Sequence, residues 1–491
     1  MEKNAVIINK KVSKTSKILE VNGDIIVPDI KPDIVSIINT NGVPYIYKED
    51  ISVSKMRFDG NIDSYIVYLA DNGETRSIQT TLSFSDSFED NGIKEGCFSK
   101  EQVILESIEA KVLNERKISI KAIVKVKIEI FEKAEVEITS DFEEFENVEK
   151  LKETLGIRSL VGSNKIRTSI KEDISVDNSY SIAEILKTNV EITNIENKIS
   201  YNKVLAKADA NVKIVFLAED GRIGMATSNI PVMSFIDIEK VADGHICDVT
   251  YSPRNMLFKV NSKEQHSVSC QIEFEVTCFA YEAKTIDVIQ DMYGTKNNIS
   301  FSKKEIMVPI NNEMKKEKVN INERINVEDI LNVLDVSSKV RKVNVTKSGN
   351  YYNCECETVL NIYYEANSRN GLNVKEVAVP FVVRLENDDD IDFEIARKEF
   401  TVSNEIVNCD MEIFVKKDSE NLKNVSCIEN VECKECKDDL DYKMCIYFVK
   451  PGDTMWEIAK EFKVCMKNIL AANNLETPDK IKAGDRLYIM K

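Results

Sequence analysis

The sequence predicts a mainly β protein, in which three repeated antiparallel β-rich modules with short helices precede a small β-α-α-β domain. Two observations carry this prediction: apolar patterns recur at a shift of 148 residues, and long runs alternate apolar with polar residues. A repeat is sought before any local motif because it decides how the whole chain divides. At 491 residues the chain is also long enough for about three or four ordinary domains.

A short apolar segment begins each copy of the repeat. The copies start at Asp33, Ser181 and Asp329, so each lies 148 residues after the previous one. Within each copy the apolar residues fall at positions i, i+3 and i+4, which is the spacing of one helix face. Ser181 and Glu184 also have the spacing of a capping box. The sequence therefore predicts one short helix in each module.

Strand patterns follow each of these segments. Three apolar runs rich in β-branched and aromatic residues end at Gly73, Gly221 and Gly371, as a strand that enters a hairpin does. Residues 118–130 and their copy at 268–278 alternate apolar with polar residues. This period of two indicates half-buried antiparallel strands. We therefore expect the first two modules to share one strand order.

The repeat divides the chain into five predicted units. They are residues 1–150, 151–298, 299–428, 429–444 and 445–491. The first three are the repeated modules, and the third is shortened because its strand pattern is lost near Asn421. The fourth unit is acidic and has few large apolar residues, so we predict a linker there. The fifth is the small C-terminal domain.

The predicted linker contains a candidate zinc site. Cys433 and Cys436 have the CxxC spacing, and Cys427 and Cys445 lie on either side; four thiolates at such spacings can hold a zinc ion. One CxxC is a weak signal without a second tight pair, so reduced thiols in a flexible linker are the alternative. Several of the twelve cysteines occupy single apolar positions in strand patterns, which favours buried thiols over disulfides. We predict no cofactor.

The composition argues against several classes of partner. The formal net charge is −17, and an acidic surface repels polyanions such as nucleic acid and anionic lipid. No uninterrupted apolar stretch of about 18 residues occurs, so we predict no membrane span. The first residues lack the pattern of a signal peptide, which leads us to expect a cytosolic protein.

The residue inventory gives little support to an enzyme. The chain has two histidines, His245 and His266, and it lacks the G-x-S-x-G, G-x-x-x-x-G-K and H-E-x-x-H motifs. Each histidine is more simply a surface or half-buried imidazole than a general base. Acid pairs are expected by number alone among 83 carboxylates. We therefore predict that the protein is not an enzyme.

The last residues carry the most specific pattern. A strand, a turn, a helix with a capping box at Thr454 and Glu457, a second helix and a closing strand follow one another in under about fifty residues. This pattern resembles the LysM module. The resemblance rests on Tyr447, Val449, Gly452, Asp453, Thr454, Ile458, Ala459, Phe462, Val464, Asn473, Leu475, Pro478, Ile481, Gly484, Leu487 and Ile489.

LysM modules usually bind N-acetylglucosamine polymers in a shallow groove between two loops. The resemblance therefore implies a groove lined by Asp453, Thr454, Met455, Asn474, Leu475, Pro478 and Ile481. This chain departs from the family at Met455, where leucine is usual. It departs again at Cys465, where serine or threonine usually caps the second helix, and this weakens the start of that helix.

Trp456 is the only tryptophan of the chain. On the first helix it lies about 100° from Met455, away from the inward residues. A module of this size cannot bury it fully, so we expect Trp456 to be partly exposed and to act as a binding hot spot. The alternative is that its ring packs as part of the module's own core.

The repeats resemble the SPOCS domain, particularly in the stretch VPDIKPDI at residues 27–34. Repeated SPOCS modules followed by one LysM module resemble the endospore coat morphogenetic proteins. The resemblance implies a protein of the mother-cell cytoplasm that lies at the forespore outer surface, in the spore coat. There it would bind the coat's morphogenetic ATPase, stage IV sporulation protein A, through the LysM module. A protein that binds peptidoglycan or another N-acetylglucosamine polymer is the alternative.

Overall fold

The computed structural model describes residues 2–141, 146–261, 265–310, 317–367, 371–385, 391–403, 405–417, 422–435 and 444–490. In these ranges most residues before the C-terminal module lie in β-strands, and the helices lie in that module. The predicted mainly β fold class is therefore confirmed.

The strands follow the repeat. The first repeat contains β1 (Glu2–Ile26), β2 (Ile34–Ser52), β3 (Lys55–Ala70), β4 (Thr75–Glu89), β5 (Phe98–Asn114) and β6 (Lys117–Asp141). The second contains β7 (Val148–Ser175), β8 (Ile182–Ser200), β9 (Lys203–Ala218), β10 (Ile223–Asp237), β11 (Ile246–Val260) and β12 (Ser267–Gly294). The third contains β13 (Asn297–Pro309), β14 (Glu317–Asn326), β15 (Ile330–Ser348), β16 (Tyr351–Ala366), β17 (Leu372–Leu385), β18 (Ile391–Ser403), β19 (Ile406–Lys417) and β20 (Leu422–Glu435).

The C-terminal module has the predicted β-α-α-β order. Its elements are β21 (Met444–Phe448), α1 (Met455–Glu461), α2 (Met466–Ala472), the 3-10 helix Pro478–Lys480 and β22 (Arg486–Met490). The two strands pair antiparallel, with Met444 opposite Met490.

Within the described residues, each repeat contains two three-stranded antiparallel sheets, and the third repeat also has the two-stranded sheet β13-β20. The inner sheets have the orders β2-β3-β4, β8-β9-β10 and β15-β16-β17. The outer sheets have the orders β1-β6-β5, β7-β12-β11 and β14-β19-β18. The strand order expected to be common to the first two repeats is therefore confirmed, and the third repeat follows it as well. The turn glycines Gly73 and Gly221 have φ of 82° and 83°, a left-handed conformation that glycine adopts without steric cost.

The short helices predicted at the start of each repeat are wrong, because those segments begin β2, β8 and β15. In β2 the register shifts between Ile34 and Ser36 and again between Ile37 and Asn39. The same pair of shifts recurs 148 residues later in β8 and again in β15. A β-bulge inserts one extra residue into a strand. Two bulges three residues apart therefore give a strand the i, i+3, i+4 apolar spacing of a helix.

The third repeat extends further than the sequence predicts. Residues 422–435 form β20, which pairs antiparallel with β13. Residues 429–435 are therefore strand and not linker. In the first two repeats one long pair, β1 with β6 or β7 with β12, runs through the outer sheet. In the third repeat two shorter pairs, β14 with β19 and β13 with β20, take that place.

The ends of these outer pairs pack together in a core shared by all three repeats, which we call the arm core. Its buried members are Val6, Ile8, Ile138, Leu155, Ile157, Ile286, Val288, Ile306, Val308, Val425 and Cys427. The Ile7 N–H donates to Ser159 Oγ at 3.2 Å and joins the first repeat to the second. A β-bridge between Ile157 and Ile310 joins the second repeat to the third. Burial of each large aliphatic side chain contributes about 1.5–3 kcal/mol, so the arm core holds the repeats as one body.

Candidate functional site

The LysM module is built from the signals that its sequence carries. The Thr454 hydroxyl accepts a hydrogen bond from the Glu457 N–H at 3.2 Å, and the Glu457 carboxylate accepts one from the Thr454 N–H at 3.3 Å. This capping box begins α1 at Met455, as predicted. Cys465 precedes α2 and makes no side-chain capping hydrogen bond, which agrees with its departure from the family pattern.

The first loop of the predicted groove has its polar groups engaged by the module itself. Asp453 Oδ2 accepts hydrogen bonds from the Lys450 N–H and the Tyr447 hydroxyl, both at 2.8 Å. The same two bonds hold the pKa of Asp453 below its ordinary value. Thr454 is occupied by the capping box. Met455 is 2% exposed and belongs to the module core, so its side chain does not line a surface groove.

The second loop of the predicted groove lies close to the first, because the 3-10 helix Pro478–Lys480 packs against α1. Asn474 is exposed and has φ of 54°. Leu475 and Ile481 are half-buried against the module core, and Pro478 is half-buried as well. Of the four predicted groove residues in this loop, Asn474 is therefore the one with an exposed hydrogen-bonding side chain.

Trp456 is 9% exposed, so the expectation that it is partly exposed is wrong. Its indole N–H donates to Asp291 Oδ2 at 2.7 Å. Its ring meets the Tyr293 ring edge-on, with centroids 4.9 Å apart. Asp291 and Tyr293 both belong to β12. The end of the second repeat therefore contributes to the burial of this ring.

Further contacts fix the LysM module on the second repeat, and we call this interface the LysM dock. Lys460 Nζ pairs with Asp291 at 2.7 Å, and the Tyr293 hydroxyl donates to the Val464 carbonyl at 2.8 Å. Burial acts to raise the pKa of Asp291, but the hydrogen bonds from Lys460 and Trp456 hold this pKa below its ordinary value. The dock therefore combines a charge pair, a buried hydrogen bond and an aromatic contact.

The surface of the LysM sheet that faces away from the helices is apolar, and we call it the LysM outer face. Its apolar members are Met444, Ile446, Phe448, Tyr488 and Met490, which are 39% to 61% exposed. They lie opposite one another across the two strands, with Arg486 beside Phe448. Contiguous exposed apolar surface of this kind marks interaction sites. The sequence signal for this face is that residues 445–449 are apolar at every position instead of alternating.

Three of the four candidate zinc ligands lie in described residues, and each sits in a different setting. Cys427 is buried in the arm core, where burial raises the pKa of its thiol to about 11. Cys433 is exposed on β20, and Cys445 is half-buried in the LysM module. Cys436 lies outside the described residues. Among the described residues, the carboxylates whose oxygen atoms lie within 4.8 Å of one another are instead Glu49, Glu101 and Glu275.

A cavity of about 830 Å³ lies where residues of all three repeats meet. Its walls carry many amides and hydroxyls, among them Asn39, Asn41 and Thr188. Lys187 and Lys339, which also line it, already pair with carboxylates of the chain. The cavity wall therefore mixes neutral polar groups with charged side chains, which also include Glu109, Arg341 and Glu376.

Comparison with protein-family models assigns two segments of the chain. Residues 447–489 match the LysM domain, and residues 181–261 match the SPOCS domain of SipL. Over these two segments the chain is therefore similar to a SipL-like coat morphogenetic protein. The SPOCS match spans β8 to β11, and the corresponding strands of the other two repeats have the same order.

These matches indicate what kind of domain each matched segment is. SPOCS and LysM domains are non-catalytic binding or adaptor domains, and together they fit a sporulation coat protein with a glycan-binding type of module. Neither the curated proteins nor the solved structures include a significant match to the chain. Among the described residues, no helix has the length and apolar character needed to cross a membrane.

Proposed function

We propose that this protein is a non-enzymatic assembly adaptor of the endospore coat. In this role it binds the coat's morphogenetic ATPase, stage IV sporulation protein A, through its LysM module. It acts in the mother-cell cytoplasm, at the outer surface of the forespore. The observation that carries the proposal is the LysM outer face, an exposed apolar sheet surface on a module that is docked on the second repeat.

The chemistry of the LysM module favours protein as the ligand. Apolar side chains bind by excluding water from a complementary apolar surface, whereas a sugar presents hydroxyl groups that require hydrogen-bonding partners. The outer face is apolar in five of its six cross-strand positions. In the groove, by contrast, Asp453 already accepts hydrogen bonds from Tyr447 and Lys450. Thr454 already accepts one from Glu457. The surface that remains available therefore suits an apolar protein partner.

The dock gives the adaptor its geometry. Trp456 and Lys460 hold the module against β12, so the outer face keeps a fixed direction relative to the three repeats. A partner bound there is placed at a defined position with respect to the SPOCS repeats, which are then free to contact other coat components. This is the property that a coat adaptor needs.

Phe448→Ser tests the outer face directly. Phe448 is 61% exposed, and truncation of an aromatic hot spot typically costs about 2 kcal/mol or more of binding free energy. We expect the affinity for the purified ATPase to fall by about tenfold or more, with an unchanged melting temperature. Because the contact is apolar, the affinity of the unchanged protein should depend little on salt.

The matched control is Phe235→Ser, which removes an equally exposed phenylalanine, 67% exposed, from β10 of the second repeat. This variant should bind the ATPase as the unchanged protein does. If the two variants bind equally well, the LysM outer face is not the contact surface, and the adaptor proposal loses its main support.

Glycan binding is the second candidate function, and the LysM match together with the exposed Asn474 amide favours it. Asn474→Gly is the appropriate substitution, because glycine keeps the φ of 54° without strain. Under the adaptor proposal, we expect no retention of the protein on purified peptidoglycan and no effect of this substitution on ATPase binding. Retention that is lost in Asn474→Gly would instead establish glycan as the ligand.

A further inference from the structure

Five charged side chains meet in the interior of the junction between the first and second repeats. They come from five strands and are Glu49 of β2, Glu101 of β5, Lys165 of β7, Arg254 of β11 and Glu275 of β12. The first two belong to the first repeat and the other three to the second. We call this group the junction cluster.

Arg254 lies at the centre of the junction cluster, with 3% of its side chain exposed. Its guanidinium donates to Glu275, to Glu101 Oε2 at 3.1 Å and to the Ile46 carbonyl at 2.8 Å. The ammonium group of Lys165 donates to Glu49 Oε1 at 2.7 Å. Each cation therefore bridges the two repeats.

The charges of the junction cluster do not balance. Three carboxylates face two cations, and oxygen atoms of the three carboxylates lie within 4.8 Å of one another. The Glu101 side chain is 5% exposed, and its Oε1 accepts no hydrogen bond from the described part of the chain, although Lys165 Nζ lies 3.7 Å away. The Arg254 Nε–H, which is also buried, has no acceptor there. A buried net charge and a buried oxygen without a hydrogen bond are both costly. The cluster therefore lacks one positive charge, and Glu101 Oε1 lacks a hydrogen-bond donor.

We propose that the junction cluster binds one proton, held between Glu49 and Glu101, and that loss of this proton at higher pH weakens the junction of the first two repeats. A proton on Glu49 supplies the missing donor to Glu101 and makes the group neutral. A divalent cation fits less well, because Arg254 and Lys165 already contact the carboxylates and would repel it.

The environment of the two carboxyl groups places the titration near neutral pH. Burial, and then the hydrogen bond and charge of Glu101, raise the pKa of Glu49 to about 7. Burial also acts to raise the pKa of Glu101, but the hydrogen bond with Glu49 and the charges of Lys165 and Arg254 hold it below its ordinary value. The proton therefore resides on Glu49. Ser99 also donates a hydrogen bond to Glu49, at 2.9 Å.

The direction of the pH effect follows from the raised pKa of Glu49. The folded junction binds the proton more tightly than the opened chain does, in which the pKa of Glu49 has its ordinary value of 4.5. The stabilisation is therefore complete below that value and is lost as the pH rises to about 7. At the other two junctions Lys398 pairs with Glu191 and Lys339 pairs with Glu106. Neither pair has an excess carboxylate, so we expect the effect at the first junction.

Hydrogen–deuterium exchange of the full chain tests the proposal. After correction for the intrinsic exchange rate, opening of the segments that carry Glu49 and Arg254 should increase about tenfold between about pH 6 and pH 8. Glu49→Gln should abolish this increase. Glu191→Gln, which removes a carboxyl group at the neighbouring junction, should retain it. An unchanged opening equilibrium in the wild-type protein would overturn the proposal.

Infrared difference spectroscopy gives a second readout that does not depend on opening. We expect the wild-type protein to show the carbonyl band of a buried protonated carboxyl group. This band should disappear as the pH rises through about 7, and it should be absent from Glu49→Gln at every pH. Absence of the band from the wild-type protein contradicts the proposal. Protection of the junction by added calcium or manganese at high pH would also overturn it, because the cluster would then be a metal site.

Discussion

Replacement of Asp335 with alanine is expected to destabilise the protein by about 3–5 kcal/mol, because it leaves Lys187 buried without its carboxylate. The two side chains are 7% and 3% exposed, and Lys187 Nζ lies 2.6 Å from Asp335 Oδ2. They lie at equivalent positions of β8 and β15, 148 residues apart. Lys187 Nζ also lies 3.6 Å from the centre of the Tyr363 ring, a cation–π contact that only partly offsets loss of the carboxylate.

The matched control is Asn39→Ala. Asn39 is the residue of the first repeat equivalent to Lys187, it is uncharged, and its amide lies 3.5 Å from the Tyr363 hydroxyl. We expect this substitution to cost about 1 kcal/mol or less. Denaturant unfolding monitored by circular dichroism measures both values. If Asp335→Ala costs no more than Asn39→Ala, the buried pair does not stabilise the meeting point of the repeats.

Acid should weaken the same contact. Burial acts to raise the pKa of Asp335, but Lys187 and Lys213 hold this pKa below its ordinary value of 3.8. The pair therefore contributes stability above that value and loses it as the pH falls through the lowered pKa. The double variant Lys187→Met, Asp335→Ala should recover much of the loss, because it removes the uncompensated buried charge.

The strands of the repeats could be predicted because their signal is local. In β6 every second residue from Ile118 to Ile130 is completely buried, so the period of two in the sequence is the period of the burial. The helices predicted at Asp33, Ser181 and Asp329 could not be distinguished from strands in this way. Two β-bulges reproduce the apolar spacing of a helix, and a bulge leaves little mark in a single sequence.

The features of the candidate site could be predicted from the sequence only where residues of the LysM module alone determine them. The capping box of Thr454 and Glu457 and the core position of Ile458 follow from nearby residues. The environment of Trp456 does not, because Asp291 and Tyr293 lie more than 160 residues earlier in the chain. The continuation of the third repeat through β20 is hidden for the same reason, since its partner is the distant β13.

Trp456→Ala is expected to loosen the LysM dock and to destabilise the LysM module by about 3–5 kcal/mol, the usual cost of removing a large buried aromatic side chain. The substitution removes the edge-on contact with Tyr293 and the hydrogen bond to Asp291. Asp291 then keeps the ion pair with Lys460, so the dock is weakened without complete loss. Hydrogen–deuterium exchange should increase in both α1 and the end of β12.

Phe448→Ser supplies the control, because Phe448 is an aromatic residue of the same module that lies outside the dock. It should leave exchange in α1 and β12 unchanged while it weakens binding of the ATPase. Trp456→Ala should increase exchange in α1 and β12 and should weaken ATPase binding much less than Phe448→Ser does. The LysM outer face keeps all of its side chains in this variant and loses only its fixed orientation relative to the repeats.

If Trp456→Ala abolishes ATPase binding while exchange in β12 and the melting of the module stay unchanged, Trp456 is itself a contact residue. The bound protein would then have to displace Asp291 and Tyr293 from the indole ring, and the dock would be a closed state of the adaptor.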